Sequence, residues 1–75
     1  MSTANPQEER AVKEIMLQNT DKGVMAAIYR DGKPDPDIVA LFGTHRLPTA
    51  WRCGDAREIA ENISELNPGA IVEWV

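Results

Sequence analysis

The segment from Asp55 to Val75 constrains the fold most strongly, because it predicts an amphipathic helix followed directly by a strand. Asp55 is a typical helix N-cap, and Glu58 stands three residues after it, as in a capping box. Apolar side chains then recur along one stripe: Ala56, Ile59, Ala60, Ile63 and Leu66. By the 3.6-residue period this stripe spans about 120° of the helix surface, which is wide enough to face a core.

The same segment also predicts where the helix stops and the strand starts. Asn67 precedes Pro68, which biases its backbone out of the helical region, and Gly69 completes the break. From Ala70 to Val75 the side chains alternate in the manner of a strand, and the charge at Glu73 indicates one partly wet face. We therefore predict a C-terminal strand over these residues, at the edge of a sheet.

A second helix signal lies near the N-terminus. Asn5 is a suitable N-cap, Pro6 fits the first helical position, and Glu8 follows three residues after the cap. These residues predict a helix from about Pro6 to Gln18. Its apolar stripe is narrow, and Leu17 falls outside it. The stripe consists of Ala11, Val12, Ile15 and Met16.

Two apolar runs of strand length lie between the predicted helices. Val24–Tyr29 follows a cluster of turn-forming residues, and Ile38–Phe42 precedes Gly43. The connection 33–37 contains two prolines, which disfavour both a helix and ladder hydrogen bonds. We predict a hairpin with a solvated loop. Three carboxylates lie in or beside that loop, at a spacing that does not match a calcium-binding loop: Asp31, Asp35 and Asp37.

Together these elements predict an α+β fold with the order α-β-β-α-β. We expect residues 1–5 to be a flexible N-terminus and residues 6–75 to form a single domain, a two-layer sandwich with both helices on one face of a three-stranded sheet. The last strand either lies beside Val24–Tyr29, in a wholly antiparallel sheet, or runs parallel to Ile38–Phe42. We favour the mainly antiparallel sheet, because it places the longest apolar strand at the centre.

Composition narrows the classes of protein to which the chain can belong. With 75 residues, 43% hydrophobic and 27% charged, it is in the ordinary globular range. One Cys and one His predict neither an internal disulfide nor a structural zinc site, and we expect no cofactor. So small a core predicts self-association. A polar N-terminus and short apolar runs predict a cytoplasmic protein that does not cross a membrane.

A basic and aromatic group stands out in a chain whose net charge is −4. It consists of His45, Arg46, Trp51, Arg52 and Arg57. With the start of the second predicted helix, this group has the residue types that bind a phosphate, a carboxylate or a stacked base. The alternative interpretation is that the arginines pair with nearby carboxylates and Trp51 covers the core. The net negative charge disfavours indiscriminate binding to nucleic acid without excluding it.

Catalysis has little support in the sequence. Cys53 lies beside Arg52, an environment that favours a thiolate nucleophile. A nucleophile also requires a base within hydrogen-bond reach, and the sole imidazole, His45, is eight residues away. We therefore predict no catalytic residues and a non-enzymatic protein.

The predicted C-terminal strand suggests a function through protein contact. A proline-free edge offers free backbone groups to another strand, and Ile71, Val72 and Trp74 would flank that contact. The leading hypothesis is a small binding or regulatory module that contacts a protein partner or a second copy through this edge. Nucleotide or nucleic-acid binding through the basic and aromatic group is the alternative.

Overall fold

A computed structural model of the chain describes residues 12–52 and 54–75. They form an α+β fold with two helices and a mixed sheet of five strands, so the predicted class is confirmed while its details differ. The elements are β1 (Lys13–Thr20), β2 (Gly23–Arg30), β3 (Lys33–Pro34), α1 (Pro36–Phe42), β4 (Arg46–Pro48), α2 (Ala56–Leu66) and β5 (Ile71–Trp74). None of the helices described is long and apolar enough to cross a membrane.

The central hairpin joins β1 and β2 in antiparallel register, from Lys13 opposite Arg30 to Thr20 opposite Gly23. The Thr20 hydroxyl donates to the Gly23 carbonyl at 2.7 Å, closing the turn. Gly23 has φ 111°, and a Cβ placed there would stand 3.1 Å from the Trp51 carbonyl oxygen. This position therefore requires glycine, both for its backbone conformation and for the close approach of the neighbouring chain.

The predicted helix from Pro6 to Gln18 is wrong over its described part, because residues 13–18 belong to β1. The predicted flexible N-terminus, residues 1–5, and the predicted helix start at Asn5 and Pro6 lie outside the described part of the chain. A period of two also fits these residues, and pairing with β2 and β5 fixes them as a strand. Ile15 and Leu17 are 3% and 0% exposed on one face, while Met16 lies on the other. Leu17, which the helical stripe could not place, is fully buried.

The sheet order is β3-β2-β1-β5, and β4 pairs with β2 beyond the end of β3. The predicted placement of the last strand beside Val24–Tyr29 is wrong, since β5 runs parallel to β1. The described residues form five strands, where three were expected. The C-terminal strand does lie at an edge, as its residue pattern predicts. Residues 24–29 form most of β2, also as predicted.

The predicted strand Ile38–Phe42 is wrong, because these residues form most of α1. Asp35 is its N-cap, with Oδ1 accepting from the backbone N–H of Asp37 at 2.9 Å. Asp35 is also 1% exposed and pairs with Arg30 at 3.4 Å, so the expectation of a wholly solvated loop fails at this residue. Gly43 ends the helix at φ 79°, a left-handed conformation that glycine adopts without steric cost.

α2 confirms the predicted helix, but its apolar stripe is shorter than predicted: Ile59, Ala60 and Ile63 pack on the core, whereas Ala56 is exposed and Leu66 is 80% exposed. The Asp55 side chain accepts from the Arg57 N–H at 2.9 Å, and Ile59 is buried at 1% exposure. Around Ile59 the core consists of Ile15, Leu17, Val24 and Ala26, with Ile28, Trp51, Ala60, Ile63, Ala70, Val72 and Trp74 packed against it. Because α1 buries no side chain, α2 is the helix that covers this face of the sheet.

Candidate protein-binding face and edge

The face of the sheet opposite α2, here called the open face, carries apolar side chains that no described helix covers. Met16, Met25, Ala27 and Tyr29 alternate along β1 and β2 with the buried core residues and are half-buried. They lie in a depression of about 640 Å³. Its polar rim and remaining wall consist of Glu14, Gln18, Gly32, His45, Arg46, Glu73 and Val75.

Strand register arranges the open face in rows that run across the sheet. The central row reads Arg46, Ala27, Met16 and Glu73, because Arg46 pairs with Ala27, Ala27 with Met16, and Met16 with Glu73. A second row reads Pro34, Tyr29, Glu14 and Ile71. The central row thus has a cation at the β4 side, an anion at the β5 side, and apolar residues between them.

The charges of the central row are not neutralised by ion pairs within the described chain. Arg46 Nη2 donates to Gln18 Oε1 at 3.0 Å, a contact that lays the guanidinium across β2. The ion pairs of the described residues are elsewhere: Arg30 with Asp35 and Asp37, and Arg57 with Glu61. Both Arg46 and Glu73 are exposed. The open face therefore presents opposite charges that are available to a partner.

Tyr29 and His45 form an aromatic pair at one side of the open face. Their ring centroids are 5.1 Å apart with an interplanar angle of 60°. His45 is positioned by its backbone, whose carbonyl accepts from the Ile28 N–H at 2.9 Å. Tilted aromatic pairs of this kind are stabilising, so His45 contributes to the shape of the face.

The β5 edge is defined by its hydrogen bonds to β1. Val75 N–H donates to the Leu17 carbonyl at 2.8 Å, while Leu17 is the register partner of Trp74. In a parallel ladder this pattern turns the backbone groups of Ile71, Glu73 and Val75 toward β1. The N–H and C=O groups of Val72 and Trp74 consequently point away from the sheet, where a further strand would pair.

Side chains along β5 divide between the two faces. Val72 and Trp74 pack against the core, and the Trp74 Nε1–H donates to the Ala56 carbonyl at 2.9 Å. Ile71 is 42% exposed and belongs to the open-face row of Glu14. Of the three predicted interface residues, Ile71 thus offers its side chain, whereas Val72 and Trp74 offer chiefly their backbones.

The opposite edge of the sheet is built differently. There β2 is bordered by β3, with two residues, and β4, with three. Each of these strands contains a proline, Pro34 and Pro48, which removes a backbone donor. Short, proline-containing strands are a common protection against pairing with another chain. The continuous proline-free edge is therefore the one formed by β5.

The predicted basic and aromatic group is divided by the fold. Arg46 and His45 line the open face, whereas Arg57 lies on α2 and pairs with Glu61 at 3.7 Å. Trp51 packs against the core, and the Arg52 side chain runs beside Gly23. The arginines of the predicted anion site therefore do not converge on one point. Cys53, the candidate nucleophile, lies outside the described residues. Residues 12–52 and 54–75 contain no cluster suited to a metal ion.

Sequence reasoning missed the open face, although a signal for it was present. A helix over residues 13–18 places Met16 in the same stripe as Ile15. Alternation in Glu14-Ile15-Met16-Leu17-Gln18 would have placed Met16 on the side of Glu14 and Gln18. Comparison of the chain with protein-family models, with curated proteins and with solved structures finds no match.

Proposed function

We propose that this chain is a small non-enzymatic binding module that accepts an extended segment of a partner protein along the β5 edge. The observation that supports it best is the outward direction of the Val72 and Trp74 backbone groups on a proline-free strand at the end of the sheet. Strand addition uses such groups for affinity and the flanking side chains for specificity.

Side chains beside the edge define which segment would fit. On the open-face side, Ile71 and Glu73 would neighbour the added strand, so an apolar residue and a basic residue two positions apart would complement them. On the face that α2 covers, the side chains of the added strand would lie beside Val72 and Trp74. Because β5 has four residues, the contact is short and suits reversible binding.

Chemical synthesis of the chain tests this proposal directly. N-methylation of Trp74 removes one outward donor and adds a steric block while keeping every side chain. The probes are extended octapeptides selected from a displayed random library against the unmodified chain. We expect the selected peptides to bind the N-methyl-Trp74 chain at least ~10-fold more weakly, since loss of one backbone hydrogen bond accounts for about 1 kcal/mol and the methyl group adds a clash.

N-methylation of Arg46 is the matched control. Its N–H donates to the Thr44 hydroxyl at 3.2 Å on the opposite side of the sheet, so peptide binding should be unchanged. A library that yields no binder, or binders equally affected by both modifications, would contradict strand addition at β5.

A further inference from the structure

We infer that the open face is the interface of a symmetric homodimer, in which two copies of this chain pack their sheets face to face. This inference is separate from strand addition, because it uses the side chains of the open face and not the β5 edge. Two observations carry it: the apolar centre of the face and the opposite charges at the two ends of its central row.

The described helices leave the open face uncovered, and its apolar centre consists of Met16, Met25, Ala27 and Tyr29. An apolar sheet face requires a cover of comparable apolar area. A second copy supplies such a cover, because the two open faces have the same apolar centre.

The order of residues in the central row makes the face self-complementary. A two-fold axis parallel to the strands, between β1 and β2, keeps each row opposite the same row of the second copy. It exchanges the two ends of the row, so Arg46 comes opposite the partner's Glu73, and Glu73 opposite the partner's Arg46. Met16 comes opposite the partner's Ala27, so a large side chain meets a small one on both sides of the axis.

The neighbouring row fits the same symmetry. Its order of Pro34, Tyr29, Glu14 and Ile71 brings the Tyr29 hydroxyl opposite the partner's Glu14 carboxylate, which can accept a hydrogen bond from it. Pro34 comes opposite the partner's Ile71, an apolar contact. Aligned sandwiches of this kind pack at about −30° and about 10 Å, which leaves room for interdigitated side chains.

The size of the face is sufficient for a reversible dimer. β1 and β2 have eight residues each, while β3, β4 and β5 have two, three and four. At about 4.8 Å between strands and about 3.3 Å per residue they give a flat area of about 400 Å² a copy, or about 800 Å² in total. That is in the range of weak, transient protein contacts, below about 1,200 Å². We therefore expect a concentration-dependent dimer and not a permanent one.

Charge reversal at the two ends of the central row provides a discriminating test. Both side chains are exposed, so Arg46→Glu and Glu73→Arg should leave the monomer folded. In a homodimer of either single variant, like charges would meet at both ends of the row. For each single variant, the dissociation constant should be at least ~10-fold higher than that of the parent chain. Sedimentation velocity over a concentration series into the millimolar range measures it.

A mixture of the two variants should restore dimerisation. The Glu73→Arg chain then has an arginine at both ends of its central row, and the Arg46→Glu chain has a glutamate at both ends. Each arginine lies opposite a glutamate of the other chain, so both contacts between the chains are attractive. Native mass spectrometry, which separates the two masses, should show the heterodimer in preference to either homodimer. This rescue would not occur if the charges acted only within one chain. Pairing of two β5 edges is tested by Arg46→Glu alone, because Arg46 lies on β4 at the other side of the sheet and its reversal would then leave the dissociation constant unchanged.

Leu41→Lys is the control, because Leu41 is the most exposed apolar side chain of α1, at 75%, and lies outside the open face. It should leave the dissociation constant unchanged. A parent chain that stays monomeric throughout the series, or single variants that dimerise as the parent does, would overturn the homodimer. Octapeptide binding at β5 can be measured on Arg46→Glu at low concentration, so failure of one proposal remains distinguishable from failure of the other.

Discussion

The two faces of the sheet come from the same strands but obey different constraints. Toward α2, Ile15, Leu17 and Val24 are almost completely buried, and any loss of volume leaves a cavity. On the open face, Met16 and Met25 are half-exposed and are flanked by charged side chains. Alternation along β1 and β2 thus places neighbouring residues on a buried face that stabilises the fold and on an open face for which we propose a role in binding.

Neighbouring substitutions in β1 should expose this difference most strongly. Leu17→Ala removes a fully buried side chain beside Ile59 and should cost about 2–5 kcal/mol of the free energy of unfolding. Met16→Ala, one residue earlier, should cost less than about 1 kcal/mol, because its side chain keeps contact with solvent. Urea denaturation at low protein concentration measures both values without a contribution from association. Equal losses would show that the open face is as much a stabilising layer as the core.

The two helices also differ in how many side chains they bury, and this difference explains why one face of the sheet has no helix on it. α2 is held by packing, with Ile59 in the core, whereas α1 buries no side chain and is anchored by Asp35. Asp35 caps α1, pairs with Arg30, and donates its backbone N–H to the Ile28 carbonyl at 3.0 Å. Polar anchoring fixes the start of α1 without laying the helix on the sheet.

Removal of the two N-caps should therefore have unequal effects. Asp35→Ala deletes a buried cap and an ion pair together and should cost about 2–3 kcal/mol. Asp55→Ala deletes an exposed cap and should cost about 1 kcal/mol, since α2 keeps its packing. Asp35→Asn, which retains an oxygen for the cap, should fall between them. Thermal unfolding followed by circular dichroism gives the order, and an Asp55→Ala loss as large as that of Asp35→Ala would refute it.

The sequence predicts an element correctly where all local signals agree, and it fails where the same residues fit two kinds of element. At Asp55 the cap, the apolar stripe and the Pro68-Gly69 stop agree, and the helix and the strand are confirmed, although Leu66 at the end of the stripe is exposed. At Asp35 the same cap signal is present, with Pro36 at the first helical position, but the two prolines also fit a loop. An apolar run of five residues fits a strand or a short helix equally well, and the cap should have decided between them.

The prediction for the residues of β1 is wrong for a different reason. Residues 11–16 fit a helical stripe and residues 14–18 fit a strand, and propensity cannot choose between them. The choice is made by long-range pairing with β2 and β5, which a single sequence does not display. The open face depends on that choice, because it exists only when Met16 lies beside Ala27 and Glu73. Its charges were visible in the sequence, but their arrangement in one row was not.

The smallest expected effect concerns Trp74, whose side chain belongs to the covered face while its backbone faces the edge. Synthetic replacement by 3-benzothienylalanine keeps the bicyclic shape and removes only the Nε1–H donor to the Ala56 carbonyl. The free energy of unfolding should fall by about 0.5–1 kcal/mol, because this hydrogen bond is exposed. The Ala56 carbonyl also keeps a partner, since it lies in the first turn of α2 and accepts a helical hydrogen bond. Octapeptide binding should not change, since the outward N–H and C=O groups of Trp74 remain. A loss of peptide affinity larger than the loss of stability would show that the indole orientation, and not the backbone edge, determines recognition at β5.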